Sequence, residues 1–170
     1  MSVLLRNTMT VQEIMKKMVL YSKENIHDIN HFIKVYGYAK MIGECEHLAS
    51  KEQKILEIAA ILHDIACPLC REKYGNTDGK RQEEEGIPLV YDFLKETGIE
   101  PETVDRVAYL VGHHHTLTDI DGLDYQILIE ADYLVNVEEN GYSEENIRNM
   151  LKNIFKTETG RMLLEAIYLP

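Results

Sequence analysis

The chain has 170 residues, of which 45% are apolar, so it is long enough to bury a core of its own. Its 29 acidic and 18 basic residues give a formal charge of −11, which repels nucleic acid backbones and acidic membrane surfaces. The basic residues stand singly or in pairs, without interleaved aromatic side chains. We therefore expect neither nucleic acid nor a membrane as a partner, and a single domain over residues 1–170.

Targeting signals are also missing from the pattern. The N-terminal residues form a short apolar run without a basic lead or a cleavage-site pattern, and no segment reaches the length needed to span a membrane. The three cysteines, Cys45, Cys67 and Cys70, are an odd number, which indicates reduced thiols rather than disulfides. We expect a cytoplasmic protein. A homodimer is one of the oligomeric states that the sequence allows.

Hydrophobic periodicity predicts helices along almost the whole chain. Thr10 with Glu13 predicts a capping box that opens a first helix toward Ser22, and Ser50 with Gln53 predicts another for the helix that ends at His63. Further helices are predicted over residues 28–47, 81–97, 101–111 and 123–138 and from Ser143 onward, with Gly98 as a left-handed stop and a longer loop over residues 67–80. The fold class is all-α, a helical bundle of about six to eight helices.

His63 and Asp64 close a strongly apolar helix, where neither side chain has an evident structural role. Burying a carboxylate beside an imidazole is unfavourable unless a partner, such as a divalent cation, compensates. In the helix predicted over residues 123–138, Leu128, Asp132 and Val135 fall on one face at i, i+4 and i+7. Asp132 therefore faces the core and needs a partner as well.

A further ligand comes from the helix over residues 28–47, where His31 lies one turn before the inward-facing Val35. Two imidazoles and two carboxylates suit a first-row transition metal (Mn, Fe, Co, Ni or Zn) better than calcium. Four protein ligands leave positions for water and substrate if the geometry is octahedral. The candidate metal ligands are His31, His63, Asp64 and Asp132.

This spaced set resembles the HD superfamily of metal-dependent phosphohydrolases, over about residues 27–137. The segments Ala-Ala-Ile-Leu-His-Asp-Ile-Ala at 59–66 and Ile-Glu-Ala-Asp-Tyr-Leu at 129–134 are similar to the second and last motifs of that family. The resemblance implies an HD-type helical core on which C-terminal helices at 143–168 pack. It also implies a bound divalent metal and hydrolysis of a phosphate ester of a small molecule, often a nucleotide.

Two-metal members of this family commonly carry a histidine pair where this chain has three consecutive histidines. The resemblance thus suggests a second metal held through His113, His114 or His115; the alternative is a solvated helix end where protonated histidines meet the helix dipole. Those relatives also have a histidine four residues before a glycine, and here that position is Gln82, a poor ligand. Compensation by Glu83, Glu84 or Glu85 is a further alternative.

A bound divalent cation lowers the pKa of its water from about 15.7 to about 7 and polarises a phosphoryl oxygen, so metal-bound hydroxide is expected to attack phosphorus. Asp64 and His114 are the candidate catalytic residues, the first to orient the water or accept its proton and the second to protonate the leaving oxygen. The candidate substrate-binding residues are His113, His115, Gln82, Arg71 and Lys73. For the two cations among them, surface solubility is an equal alternative.

Two other classes of protein are kept as alternatives. One is a catalytically silent regulatory domain that binds a metal or nucleotide, and the other is a purely structural helical module. The pair His27 and His31 has zinc-protease spacing, but Asp28 stands where that chemistry uses Glu and is interpreted as a helix cap. Cys67 and Cys70 have zinc-knuckle spacing without a second pair. A stringent-response substrate is disfavoured, because no Glu-Asp pair follows the dipeptide.

Overall fold

The computed structural model describes residues 7–170, and over these residues the chain is all-helical, as predicted. The apolar run discussed above lies largely in residues 1–6, outside the described residues. The helices are α1 (Val11–Tyr21), α2 (Ile26–Cys45), α3 (Ser50–Leu62), α4 (Cys67–Tyr74), α5 (Gly79–Leu94), α6 (Pro101–Val111), α7 (Leu123–Asn140), α8 (Glu144–Asn153) and α9 (Glu158–Tyr168). None of them is long and apolar enough to cross a membrane.

Three predicted helix caps can be compared with the structure. The capping box of Thr10 and Glu13 is present, with both reciprocal hydrogen bonds made. The capping prediction for Asp28 is wrong, because Asn25 caps α2 and accepts from the backbone N–H of Asp28. The box predicted at Ser50 is also wrong, because Ala49 is the N-cap of α3 and makes no side-chain cap hydrogen bond.

The longer loop predicted over residues 67–80 contains a helix instead. Cys67 begins α4, Pro68 occupies its first turn, where a missing N–H is tolerated, and Gly75 ends it with a left-handed φ of 72°. Cys67 and Cys70 are buried on this short helix as free thiols. The helix places Cys67 and Arg71 close to the end of α3, where His63 and Asp64 lie.

The core is built around α3 and α7, each of which has buried residues on most of its circumference. Helix α2 packs against both, α6 packs against α3, and α5 packs on α6. Helix α3 is apolar almost throughout its second half, from Ile55 to Leu62, which explains why it lies at the centre. The three helices α2, α3 and α7 therefore meet along buried faces.

The C-terminal helices are joined to this core through a buried carboxylate. Glu130 of α7 is fully buried and accepts hydrogen bonds from the backbone N–H groups of Lys156 and Thr157 and from the side chain of Gln126. These donors compensate the loss of hydration of the charge. The network positions the start of α9, which packs against α7 and α2.

Candidate metal centre

Four side chains from three packed helices meet at one point inside the bundle. His31 comes from the second turn of α2, His63 and Asp64 follow the last turn of α3, and Asp132 comes from the middle of α7. His31 and His63 are 5% and 0% exposed. The packing of these helices buries His31, His63 and Asp132, whereas the side chain of Asp64 is 23% exposed.

The ligand atoms lie within a few ångström of one another. His31 Nε2 is 3.1 Å from His63 Nε2, 3.1 Å from Asp132 Oδ1 and 3.3 Å from Asp64 Oδ2. His63 Nε2 is 3.5 Å from Asp132 Oδ1 and 3.6 Å from Asp64 Oδ2. Two ligand atoms about 2.1 Å from a shared cation, at angles between octahedral and tetrahedral, lie about 3.0 to 3.4 Å apart. The observed separations are close to that range.

The other ring nitrogen of each central histidine is engaged in a hydrogen bond. His31 Nδ1 is 2.7 Å from Glu139 Oε2, and His63 Nδ1 is 2.8 Å from the carbonyl oxygen of Ala60. An Nδ1–H that donates to these acceptors leaves the Nε2 lone pair of the neutral ring facing the centre. Such hydrogen bonds orient histidine ligands in metal sites.

This arrangement fits a divalent cation. With His31 and His63 neutral, two lone pairs and two carboxylate oxygens converge on one buried point, and each of these atoms is an acceptor. That convergence is electrostatically unfavourable unless a positive charge lies between them. A cation ligated by two nitrogens and two oxygens satisfies all four groups, so the donor set suits a first-row transition metal.

The ionisation of these groups reflects the same crowding. Burial lowers the pKa of His31, but the hydrogen bond to Asp132 and the charges of Asp64 and Asp132 outweigh it and raise the pKa to about 9. Burial raises the pKa of both carboxyl groups, and the neighbouring histidines reverse the effect and hold both well below the usual range. In the metal-free protein a proton on His31 therefore provides the positive charge that the site requires.

Asp64 also faces a second group of ligand atoms. His114 Nε2 is 3.4 Å from Asp64 Oδ1, and the rings of His114 and His115 lie 4.0 Å apart between centroids. His114 Nδ1 is 2.7 Å from the carbonyl oxygen of Val111. As in His31 and His63, Nδ1 bonds an acceptor and Nε2 is directed to the ligand atoms. Asp64, His114 and His115 form a second set that can hold a metal ion, and it shares Asp64 with the first.

His114 is fully enclosed, and its Nε2 has no hydrogen-bond partner within the usual distance among the described residues. Burial lowers its pKa, and the interaction with the Asp64 carboxylate 3.4 Å away reverses this and raises it. The pKa of His115 is lowered to about 4 by desolvation and by the charge of His114. The fold therefore favours the protonated form of His114 and the neutral form of His115.

Gln82 lies at the edge of this second set with its amide already engaged. Its Nε2 donates to the carbonyl oxygen of Thr77 at 2.6 Å, and its Oε1 accepts from the thiol of Cys67 at 3.2 Å. The three glutamates that follow are not members of this second set of ligands. Glu83 accepts hydrogen bonds from the backbone N–H of His115 and from the hydroxyl of Thr116. Glu84 is exposed, and Glu85 pairs with Lys73 and Tyr74. Compensation by these glutamates is therefore not what the structure shows.

Two predicted substrate-binding residues lie away from the centre. His113 stacks on Tyr109 with ring centroids 4.1 Å apart and bonds the carbonyl oxygen of Tyr109 through Nδ1. Lys73 is paired with Glu85 on the outer face of α4. Neither side chain lines the cavity at the metal centre. Their positions therefore do not support the prediction that they bind substrate.

A cavity of about 520 Å³ opens from the ligand cluster, a volume within the usual range for small-molecule sites. Its walls include the three remaining predicted substrate-binding residues, Gln82, Arg71 and His115, as well as His114. Arg71 forms an ion pair with Asp28 at the mouth. The cluster of ligand atoms therefore lies where a small substrate can reach it.

Two residues of the site were not predicted. Glu139 holds His31, and Asn136 donates from Nδ2 to Asp132 Oδ1 at 2.9 Å. Both follow Asp132 on α7 at i+4 and i+7, so they share its face of the helix. The helical spacing from Asp132 contained the signal, but polar residues at those positions are also common on a solvated surface.

An all-helical bundle whose buried faces bring histidines and aspartates to one cation-binding point defines a class of helical metalloprotein. The HD domain family matches residues 28–158, and the chain belongs to that family. A crystal structure of a predicted HD superfamily hydrolase from an uncultured Thermotogales bacterium superimposes with a TM-score of 0.69 at 26% identity, over 99% of this chain and 92% of that one. No curated protein matches the chain.

Membership confirms the resemblance seen in the sequence and the helical fold that it implied. The HD family comprises metal-dependent hydrolases whose domains bind divalent metals, and this chain has His and Asp groups positioned to hold such an ion.

Proposed function

We propose that this protein is a phosphohydrolase that cleaves a phosphate ester of a small molecule with the help of a divalent transition metal. The observation that carries the proposal is the convergence of histidine nitrogens and carboxylate oxygens on a buried point at the end of an open cavity. His31, His63, Asp64 and Asp132 would hold the cation. When bound, it would supply a Lewis acid for a phosphoryl oxygen and lower the pKa of water.

In this proposal Asp64 orients the nucleophile. Its Oδ2 faces His31 and His63, whereas its Oδ1 points toward His114 and the cavity. A carboxylate with a strongly lowered pKa stays ionised at neutral pH, so Asp64 would orient an attacking water by accepting a hydrogen bond from it.

In this proposal His114 acts on the leaving group. Its pKa is raised by Asp64 against the effect of burial, which favours the protonated ring, and its Nε2 lies 3.4 Å from Asp64 Oδ1 in the wall of the cavity. Donating that proton to the leaving oxygen would complete ester cleavage. Arg71 at the mouth has donors that suit a phosphate oxygen once it separates from Asp28.

A second candidate function, a regulatory HD domain that binds without turnover, is favoured by one observation. Gln82 stands where two-metal relatives place a histidine, and its amide is committed to Cys67 and Thr77. A site that holds its cation at one position and turns over no ester would serve as a sensor. We place this alternative second because Asp64 and His114 lie 3.4 Å apart in the cavity wall, which supports the roles proposed for them in hydrolysis.

The test loads purified protein with Mn, Co or Ni and measures hydrolysis of a generic phosphomonoester and phosphodiester. We expect metal-dependent turnover by the wild type and a loss of about 100-fold or more in Asp64→Asn. Asp92→Asn, on an exposed part of α5, is the matched control and should behave as wild type. Stoichiometric metal without turnover would favour the regulatory alternative, and absence of metal binding would contradict both.

A further inference from the structure

The histidines of the second ligand set lie on residues 112–116, the segment that follows helix α6; we call this segment the histidine loop. It has no regular helical phase, so the directions of its side chains depend on what its backbone contacts. The N–H of Thr116 donates to the carbonyl oxygen of His113 at 2.8 Å, which closes a turn. Contacts with neighbouring helices must place His114 and His115 within that turn.

A tyrosine of α7 holds the histidine loop from the inner side. The hydroxyl oxygen of Tyr125 lies 2.8 Å from the carbonyl oxygen of His113 and 2.6 Å from that of Thr116. Tyr125 is fully buried, so the core fixes its ring. These contacts involve the carbonyl groups of the turn and not the N–H of His115.

Glu83 of α5 holds the same loop from the other side. Its Oε1 accepts hydrogen bonds from the backbone N–H of His115 at 3.0 Å and from the hydroxyl of Thr116 at 2.9 Å. In a continued helix, the N–H of His115 would donate to the carbonyl oxygen of Val111. That oxygen instead accepts from Nδ1 of His114 at 2.7 Å. Glu83 therefore supplies the acceptor that the helix would have supplied, and the Val111 carbonyl remains available to orient His114.

Helix α5 lies very close to this region. A Cβ at Gly86 would lie 2.8 Å from Cγ1 of Val111, and a Cβ at Gly79 would lie 2.8 Å from Cγ of His115. The absence of a side chain at both positions allows α5 to approach the end of α6 and the histidine loop. Gly79, Glu83 and Gly86 fall at i, i+4 and i+7, so the three share one face of α5. The close packing on either side of Glu83 thus fixes the distance of its carboxylate from the loop.

We infer that Glu83 is a positioning residue of the site. By holding the N–H of His115 and the hydroxyl of Thr116, it keeps the histidine loop in the arrangement that sets His114 Nε2 3.4 Å from Asp64 Oδ1. The loop needs an acceptor oxygen from Glu83 rather than a negative charge, because both donors are neutral groups. The inference rests on the proposed phosphohydrolase activity for its kinetic readout.

The kinetic test uses manganese-loaded protein and a generic phosphomonoester. We expect Glu83→Ala to lower kcat by about tenfold or more with a much smaller change in KM, because a displaced catalytic group impairs the chemical step more than binding. Glu83→Gln should retain most of kcat, since its Oε1 can still accept both hydrogen bonds. Thr116→Val should lower kcat and Thr116→Ser should not. Glu84→Ala removes an exposed neighbour and is the matched control, with thermal melts to verify folding of every variant.

A double-mutant cycle separates positioning from general stabilisation. In a His114→Ala background, Glu83→Ala should lower kcat little further, because the group through which it acts is already absent. Additive losses would overturn the inference. An unchanged kcat in Glu83→Ala would also overturn it, as would equal losses in Glu83→Ala and Glu83→Gln, which would indicate a role for the charge.

Amide hydrogen exchange by NMR gives a readout that needs no turnover. We expect the His115 amide to exchange about tenfold faster in Glu83→Ala than in the wild type or Glu83→Gln, because local opening no longer breaks a hydrogen bond. The Cε1–Hε1 resonance of His114 should shift in Glu83→Ala alone. This pattern without hydrolysis of any ester would support the positioning by Glu83 and contradict the proposed activity. Unchanged exchange at His115 in Glu83→Ala would overturn the inference while leaving the hydrolase intact.

Discussion

The Nδ1 atom of His31 lies 2.7 Å from Oε2 of Glu139, so a carboxylate orients this histidine, whereas His63 and His114 are oriented by backbone carbonyl groups. The carboxylate is itself held at its other oxygen by Lys34 at 3.3 Å. A charged partner on Nδ1 increases the basicity of Nε2 as well as fixing the ring. Glu139 is therefore a positioning residue of the metal centre.

Neutralising Glu139 should weaken metal binding. We expect Glu139→Gln to raise the Kd for Mn or Co by about tenfold, because the amide oxygen can still accept from Nδ1 but the charge is lost. The matched control is Glu138→Gln. Glu138 is the neighbouring glutamate, its side chain is 72% exposed, and it also lies near Lys34, at 3.7 Å. Calorimetric titration of both variants measures the effect, and equal Kd values would contradict this role.

The stability of the metal-free protein should depend on pH in a defined direction. The pKa of His31 is raised from 6.5 to about 9, and that of His114 is raised as well. A group whose pKa is higher in the folded state stabilises fully below its unfolded pKa and loses that contribution as pH rises through the folded pKa. We therefore expect the Tm of the apoprotein to fall between pH 6.5 and 9.

Circular dichroism melts across this range check the prediction. Bound metal should weaken or reverse the fall, because the ligand histidines are then neutral at every pH in the range and metal affinity increases as protons leave. An apoprotein Tm that rises toward pH 9 would contradict the protonation of His31.

Adjacent histidines provide an internal comparison at the start of the loop after α6. His114→Ala should lower kcat/KM for phosphate ester hydrolysis by about 100-fold, because it removes the proposed proton donor. His113→Ala should have little effect on turnover, because that ring stacks on Tyr109 outside the cavity. Steady-state kinetics on both variants, with melts to verify folding, distinguish the two positions. Equal losses would contradict the assignment.

Gln82→His tests the second ligand set. Wild type is expected to hold a single cation tightly, because Gln82 binds Cys67 and Thr77 rather than offering a ligand atom. An imidazole at this buried position, near Asp64, His114 and His115, should tighten a second equivalent of Mn or Co by about tenfold. Metal titration followed by calorimetry reports the number of sites, and an unchanged isotherm would show that the position does not reach the second set.

The sequence predicted the helices of the core well, because they are long and strongly periodic. The predicted helix over residues 123–138 matches α7, and Pro101 and Ser143 start helices as expected. Short-range signals were less decisive. Helix α4 has only eight residues and little apolar periodicity, so the sequence predicts a loop over residues 67–80 in its place.

The candidate site was predictable to the extent that helical phase determines direction. His31 and Asp132 lie within long helices, so their faces followed from neighbours such as Val35 and Leu128. The histidines at 113–115 follow the end of α6, where the regular phase is lost, and the sequence therefore left open which of them faces inward. Only the tertiary structure turns His114 toward Asp64 and His113 toward Tyr109.

The central claim is that His31, His63, Asp64 and Asp132 hold a divalent metal. It is tested most directly by elemental analysis of purified wild type, Asp132→Asn and the exposed-site control Asp105→Asn, with circular dichroism to verify folding. We predict stoichiometric transition metal in the wild type and the control and its loss in Asp132→Asn. Equal metal content in Asp132→Asn and the wild type, or no metal in any of them after loading with Mn, Co and Ni, would contradict the account.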